Sequence, residues 1–214
     1  MEGPPVTEII RFTPKESYLA SAHGALGDFF KILASTDGFI SAYHGLQIEE
    51  TESGGNGGFI VILWETLEHH QALQKDADKY SELRTAIDGA ADNRSMLHVF
   101  PKVDPSSSFI ADALEIAIIT LKAGHTKGDI DEPMGVLLAQ KTPGIVGSPT
   151  WGQVHEEKEK VALFVGWSSK EAHMNARNQP TEAISGAFGK IAPHMDGVDM
   201  KHVKLEKYSL DTAI

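Results

Sequence analysis

The sequence predicts an α+β protein in which two copies of one βαββαβ unit, held in a single chain, close an eight-stranded barrel with helices outside. Three observations predict it. Four short segments recur in the same order about a hundred residues apart, the element types between them run in the same order in both copies, and a Pro/Ser-rich stretch separates the copies.

The recurrence begins with Gly38-Phe39-Ile40 and Tyr43-His44-Gly45-Leu46-Gln47, which reappear as Gly144-Ile145-Val146 and Thr150-Trp151-Gly152-Gln153-Val154. Phe59 to Trp64 and the following Glu65 to His70 match Ala162 to Trp167 and Ser168 to His173. Both carry the frame Trp-x-x-x-Glu-x-His, as Trp64, Glu68, His70 and as Trp167, Glu171, His173. Met96-Leu97-His98-Val99 matches Met200-Lys201-His202-Val203. The offset drops from 107 residues at Gly45/Gly152 to 103 at Trp64/Trp167, and the drop falls at Ser53-Gly54-Gly55-Asn56-Gly57-Gly58, a glycine-rich hairpin loop in the first copy. Pro101-Lys102-Val103-Asp104-Pro105-Ser106-Ser107-Ser108 reads as an extended linker. The expected organisation is repeat one over 5–100, linker over 101–112 and repeat two over 113–208.

The elements follow in order. Residues 8–12 form a short β-rich run stopped by Pro14. Residues 17–35 place Leu19, Leu26, Phe29, Phe30 and Leu33 near helical spacing, with Thr36-Asp37-Gly38 as the stop. Residues 43–50 and 59–64 flank the glycine-rich loop as a hairpin. Residues 67–88 form a second helix with Thr66 at its N-cap and Leu73, Leu83 and Ile87 inward, and 95–100 is the last strand. The second copy repeats this with strands at 114–121, 151–155, 161–167 and 200–205, a helix near 130–140, and another from about 170 that Pro180 interrupts. Such a unit is ferredoxin-like: its helices cover one face of four strands, and a second copy can cover the other.

Composition excludes several classes. Forty-one per cent hydrophobic and 23% charged residues, with 20 glycines and 10 prolines, are ordinary for a globular chain. The absence of cysteine removes disulfides, thiolate metal sites and thiol nucleophiles. A net charge of -11 repels phosphate backbones and anionic lipid, so neither nucleic acid nor membrane is expected as a partner. No apolar run reaches the roughly 18 residues of a membrane span, and the opening MEGPPVTE lacks a basic, apolar leader. A soluble, cytoplasmic protein is the expectation.

The segments Trp64-Glu65-Thr66-Leu67-Glu68-His69-His70 and Trp167-Ser168-Ser169-Lys170-Glu171-Ala172-His173, each following a strand and opening a helix, resemble the antibiotic-biosynthesis-monooxygenase-like branch of the dimeric α+β barrel superfamily. The resemblance extends over nearly the whole chain outside the linker and the termini. It implies that one polypeptide does what two chains do elsewhere. The superfamily includes cofactor-free oxygenases of polycyclic phenols, polyketide cyclases, heme-degrading enzymes and stress-associated proteins, so fold alone does not choose an activity.

Strand alternation sorts the candidate site residues. Leu97 and Val99, like Val203 and Leu205, are the apolar positions suited to helix packing, which turns Met96, His98 and Phe100, with Met200, His202 and Lys204, toward the barrel interior. His98 and His202 are the candidate bases, because imidazole exchanges protons near neutral pH. Tyr43 and Trp151 are expected to position a ring, and Trp64, Trp167, Met96, Phe100 and Met200 to line the cavity. His70 and His173, at the start of a helix, suit packing and helix initiation; Tyr80 and Arg84, four residues apart, read as a surface pair, and His125 as solvated. No metal site is expected: His69-His70 is adjacent rather than four apart, and no H-E-x-x-H occurs. The glycine-rich loop joins two strands and lacks G-K-[ST], so it is no phosphate cradle.

The leading expectation is a cofactor-independent monooxygenase-like enzyme acting on a small hydrophobic aromatic or polyketide-like molecule in the barrel cavity. The alternatives are a cyclase or isomerase using the same cavity, heme bound through histidine, and a non-catalytic ligand-binding or stress-associated protein. A chain that closes its own barrel has less need of a partner, while its outer surfaces leave room for a homodimer.

Overall fold

The computed structural model describes residues 3–52 and 54–209. The chain divides into two compact units, Met1–His98 together with the residues from Leu205, and Val99–Lys204. Its described residues form eight strands and eight α-helices, an α+β protein in which the order of strands and helical regions repeats, with three helices after the first strand of the first copy and one in the second. In order these are β1 (Val6–Pro14), α1 (Glu16–Ala20), α2 (Ala22–Ala25), α3 (Gly27–Ala34), β2 (Phe39–Gln47), β3 (Gly58–Trp64), α4 (Leu67–Lys75), α5 (Ala77–Asp88) and β4 (Ala91–Pro101). Then come β5 (Ala113–Leu121), α6 (Lys127–Leu138), β6 (Ile145–Val154), β7 (Lys160–Trp167), α7 (Lys170–Asn178), α8 (Glu182–Ile191) and β8 (Met195–Lys207).

The most apolar strands sit where both edges and both faces are covered. Every residue of β3 is buried, and every residue of β7 after Lys160. Such unbroken apolar runs belong to central strands rather than half-solvated ones. In the first unit β3 pairs antiparallel with β1, from Val6↔Trp64 to Phe12↔Gly58, and with β2, from Phe39↔Trp64 to Leu46↔Gly58. In the second, β7 pairs in the same way with β5 and β6, and β5 also pairs with β8 from Leu114↔Val203 to Leu121↔Met195.

The division between the units lies inside strands. The end of β4 pairs with β6 through Val99↔Val154, Phe100↔Gln153 and Pro101↔Gly152. Tyr208, just past β8, donates its backbone N–H to Ala42 O of β2. Within 101–112, Phe109 is buried against Phe164 and Ser108 Oγ donates to Ser148 O, while Val103 and Ile110 are exposed. At Gly152 a Cβ would stand 1.9 Å from Phe100 O, among backbone atoms that have no rotamer to yield. Gly152→Ala is therefore expected to cost about 3 kcal/mol by overpacking, read as a lower urea midpoint at constant slope. An unshifted midpoint would mean that β4 and β6 separate at little cost.

Two expected helices are segmented. Residues 16–34 form three short pieces, with Ser21 Oγ accepting from Gly24 N to cap the second. The run 67–88 breaks at Asp76, whose carboxylate caps α5 by accepting from Lys79 N. Its counterpart breaks around Pro180, as the sequence indicates, and Thr181 caps α8. Pro180, at the break in the second unit, is itself in the lining of that unit's pocket.

Candidate active site

Glu8 sits on β1 and Trp64 ends β3, and their register (Glu8↔Ile62, Val6↔Trp64) sets the two side chains on one face of the sheet, two positions apart. The indole Nε1–H donates to Glu8 Oε2 at 2.7 Å. Six residues on, in the first turns of α4, His70 stacks on that indole with ring centres 5.2 Å apart and planes 19° apart. Its Nδ1 lies 2.6 Å from His98 Nε2 on β4 and 3.8 Å from Glu8 Oε2. All four side chains are buried.

The second unit builds the same constellation. Trp167 Nε1–H donates to Glu115 Oε2 at 2.9 Å, and His173 on α7 stacks on Trp167 at 4.7 Å and 15°. His173 Nδ1 is 2.7 Å from His202 Nε2, while His173 Nε2 faces Glu115 Oε2 at 3.5 Å. Glu115 and His202 are cross-strand partners on β5 and β8. One difference separates the copies. His70 presents the same ring nitrogen to carboxylate and imidazole, whereas His173 presents one nitrogen to each and so links Glu115 to His202 in line.

The frame Trp-x-x-x-Glu-x-His thus does two jobs. Its glutamates, Glu68 and Glu171, are exposed on the opening helical turn. The Glu171 carboxyl is held below the usual range by its own backbone N–H and by Ser169, which fixes the helix start. With the helix fixed, the histidine drops onto the indole.

Each constellation opens into a pocket between the sheet and the helices of its own unit. The first pocket, about 370 Å³, meets Glu8, Trp64 and His70, and its rim carries Tyr80, Arg84 and Arg94. The second, about 450 Å³, meets Glu115, Trp167 and His173 beneath Met134, Leu163, Phe188 and Met200, with Arg177 as the one cationic residue in its lining. Both volumes suit a small organic ligand.

Burial without a neighbouring cation in contact raises the Glu115 carboxyl to about 7, an effect that the Trp167 hydrogen bond and the more distant Arg177 charge only partly offset. Below its ordinary value of 4.5 the group is protonated folded or unfolded. Between 4.5 and 7 the folded state holds a proton that the unfolded state has released, so this stabilisation fades as pH rises through that window. Glu115→Gln, which keeps an acceptor for the indole, is expected to match the unaltered protein near pH 4.5. At pH 8 it should exceed it by about 3 kcal/mol. Denaturant titrations at pH 4.5, 6, 7 and 8 check this, and a pH-independent difference would rule out carboxylate desolvation as its source.

The placement of the sequence-derived candidates is mixed. His98 and His202 are buried in the constellations, but on the strand face toward the helices of their own unit, opposite to the face that alternation predicted. Apolarity misleads there because the helix-facing side contains its own polar partners, and on β8 both His202 and Val203 are buried. Trp64 and Met96 line the first pocket and Trp167 and Met200 the second, beneath the helices of their own unit rather than in the barrel interior expected for them. Phe100 is 39% exposed and packs edge-on to His155. Tyr43 is buried outside both linings, and Trp151 is a core residue of the second unit, flanked by the Lys102 and Lys127 ammonium groups. Tyr80 and Arg84, expected as a surface pair, line a pocket rim, and His125 faces His194 with Nδ1 atoms 2.9 Å apart.

Glu8 and Glu115 are not among the residues that the sequence pattern singles out. Their signal was a charged residue opening an apolar strand in both copies, Glu8-Ile9-Ile10 and Glu115-Ile116-Ala117. Among the described residues two groups have the donor atoms for a divalent metal: the buried Glu8, His70 and His98, and the more exposed His125, Asp129 and His194.

No family model matches the sequence, and a search of curated proteins finds no match. Solved structures do match over the full length. A candidate monooxygenase from Fusobacterium nucleatum superposes with a TM-score of 0.68 at 12% identity, covering 98% of this chain and 96% of that one. An anthrone oxidase-like protein gives 0.67 at 16% identity, covering 100% and 96%. The chain has their fold. A candidate monooxygenase from Lactobacillus acidophilus shares it too, at 0.61 and 11% identity over 97% of both chains. The fold implied by the sequence resemblance is therefore present, in its tandem form. No helix among the described residues is long and apolar enough to cross a membrane.

Proposed function

We propose that the chain is a cofactor-independent monooxygenase-like enzyme, with its active site in the pocket of the second unit, acting on a small hydrophobic aromatic or polyketide-like molecule. One observation carries the reading: the buried Glu115–His173–His202 line opens, through Glu115 and His173, into a cavity whose walls are otherwise almost wholly apolar. Such a pocket takes up an apolar ring system, and the only groups there able to accept a proton are the carboxylate and the imidazole.

The chemistry follows from that pairing. An activated methylene or phenol of the substrate gives its proton to the Glu115–His173 pair, and His173 Nδ1–H can pass a proton to His202 Nε2 at 2.7 Å. The resulting carbanion transfers an electron to dioxygen. Recombination forms a C–O bond, and loss of water from the peroxide leaves the ketone, with one oxygen atom in the product and the other in water. Apolar walls keep the anion from being reprotonated by solvent. Relatives in fold named as monooxygenases and as an anthrone oxidase-like protein support the class of reaction.

Oxygen-electrode assays with anthrone and a panel of hydroxylated polycyclic compounds test the proposal. Oxygen consumption matched to quinone formation, with label from 18O-dioxygen in the product, is the expected result. Turnover that continues without oxygen would transfer the site to a cyclase or isomerase, and ligand binding without turnover would make the protein a binding module.

A further inference from the structure

The two pockets are counterparts with opposite rims. An offset of 104 residues relates His98 to His202, and it also carries Ile87 to Ile191 and Met96 to Met200, each lining its own pocket. At the rim the same offset pairs Tyr80 with Ile184, Arg84 with Phe188 and Arg94 with Val198, and all six again line the pocket of their own unit. At these three positions the second unit is wholly apolar, with Arg177 elsewhere in its lining, whereas the first carries a tyrosine and two guanidinium groups.

Arg94 is held for use. Its Nη2 donates to Asp88 Oδ1 at 2.5 Å, while Nη1 is buried and has no hydrogen-bond partner among the described residues. A buried guanidinium N–H without an acceptor is costly, and a ligand oxygen is the group that would relieve it. Asn93, immediately before it and also in the lining, has φ of 47°, the left-handed conformation that asparagine tolerates best after glycine. The rim carboxylates are already matched, Asp88 by Arg94 and Asp92 by Lys15 at 3.1 Å, so Arg84 adds positive charge at the mouth.

We propose that the pocket of the first unit binds a compact aromatic carboxylate. Its oxyanion meets Arg94 Nη1 and Arg84, and its ring lies against Phe29, Ile62 and Trp64 in a cavity of about 370 Å³. A carboxylate suits the planar donor fork of arginine. A doubly charged phosphate would face the same two guanidinium groups but also Asp88 and Asp92. The proposal concerns binding in the first unit and stands apart from the chemistry assigned to the second.

Calorimetric titration of the full chain with 2-naphthoate and with its uncharged methyl ester provides the test. The unaltered protein is expected to bind the acid more tightly than the ester. Arg94→Val, which installs the residue of the other rim, should weaken the acid by roughly tenfold or more and leave the ester within about twofold. Arg84→Phe, at an exposed helical position that does not endanger folding, should weaken the acid in the same direction. The proposal is overturned if the unaltered protein does not bind 2-naphthoate, if neither variant changes its affinity, or if acid and ester weaken equally. Loss of naphthoate binding on filling the other pocket with Met134→Trp would also overturn it, because the acid would then reside in the second unit.

Discussion

His173→Ala is expected to slow oxygen consumption by roughly 10²–10⁴-fold at saturating substrate, the range for loss of a positioned general base. His173 is the imidazole that both reaches the cavity and touches the two other members of its line, with Glu115 Oε2 at 3.5 Å and His202 Nε2 at 2.7 Å. His202 does not line the cavity, so it acts through His173 as a positioning residue. His202→Ala should therefore cost less, roughly tenfold, and should move the pH dependence of kcat, because the proton leaving His173 Nδ1 loses its acceptor. His70→Ala, in the other unit, serves as the comparison. An unchanged rate in His173→Ala would remove the imidazole from the mechanism, and a fall to about half in each of His70→Ala and His173→Ala would mean that both pockets turn over.

Trp167→Ala carries the largest expected effect on stability, about 3–5 kcal/mol, the range for an aromatic deleted from a core. The indole is 5% exposed, supports the His173 ring face to face at 4.7 Å, and gives Glu115 its N–H. Its loss opens a void and strips a buried carboxyl of a donor, two costs that add. The midpoint of thermal unfolding should fall by roughly 10 °C for a chain of this size. Trp167→Phe separates the two contributions, since a phenyl ring keeps the stacking surface and lacks the donor. A transition unmoved by Trp167→Ala would show that the helical layer closes over the gap at no cost.

The fold was legible because it is written twice. A single Trp-x-x-x-Glu-x-His would be a weak signal, but its repetition with Met-x-His-Val and a shared strand–helix order fixed the unit, and the loss of four residues in offset located the longer hairpin. Strands β3 and β7 were readable as unbroken apolar runs. Helix segmentation was readable at Pro180, where a missing N–H forces the break, and unreadable at Asp76, where a side-chain cap does so. The site was half legible. Both histidine pairs stood in the repeated segments, yet His70 and His173 looked like residues that start a helix, and His98 and His202 were turned to the wrong face. Alternation assigns faces by contrast between polar and apolar neighbours, and that contrast vanishes where a polar cluster is buried within a core.

By itself the sequence determined that there are two equivalent units, which elements each contains, and which residue types each copy retains for chemistry: tryptophan, histidine and, unremarked, the strand glutamate. Only the tertiary structure decided that Glu115, His173 and His202, which span 88 positions of chain, stand in one line, with His173 hydrogen-bonded to His202 and 3.5 Å from the Glu115 carboxyl. It alone decided that the pockets lie beneath the helices of each unit and that Arg84 and Arg94 answer Phe188 and Val198 across the duplication. The reason is physical. Local pattern fixes secondary structure through neighbours a few residues away, whereas a site's proton affinity and ligand preference come from burial and from partners that only the folded chain brings within 4 Å.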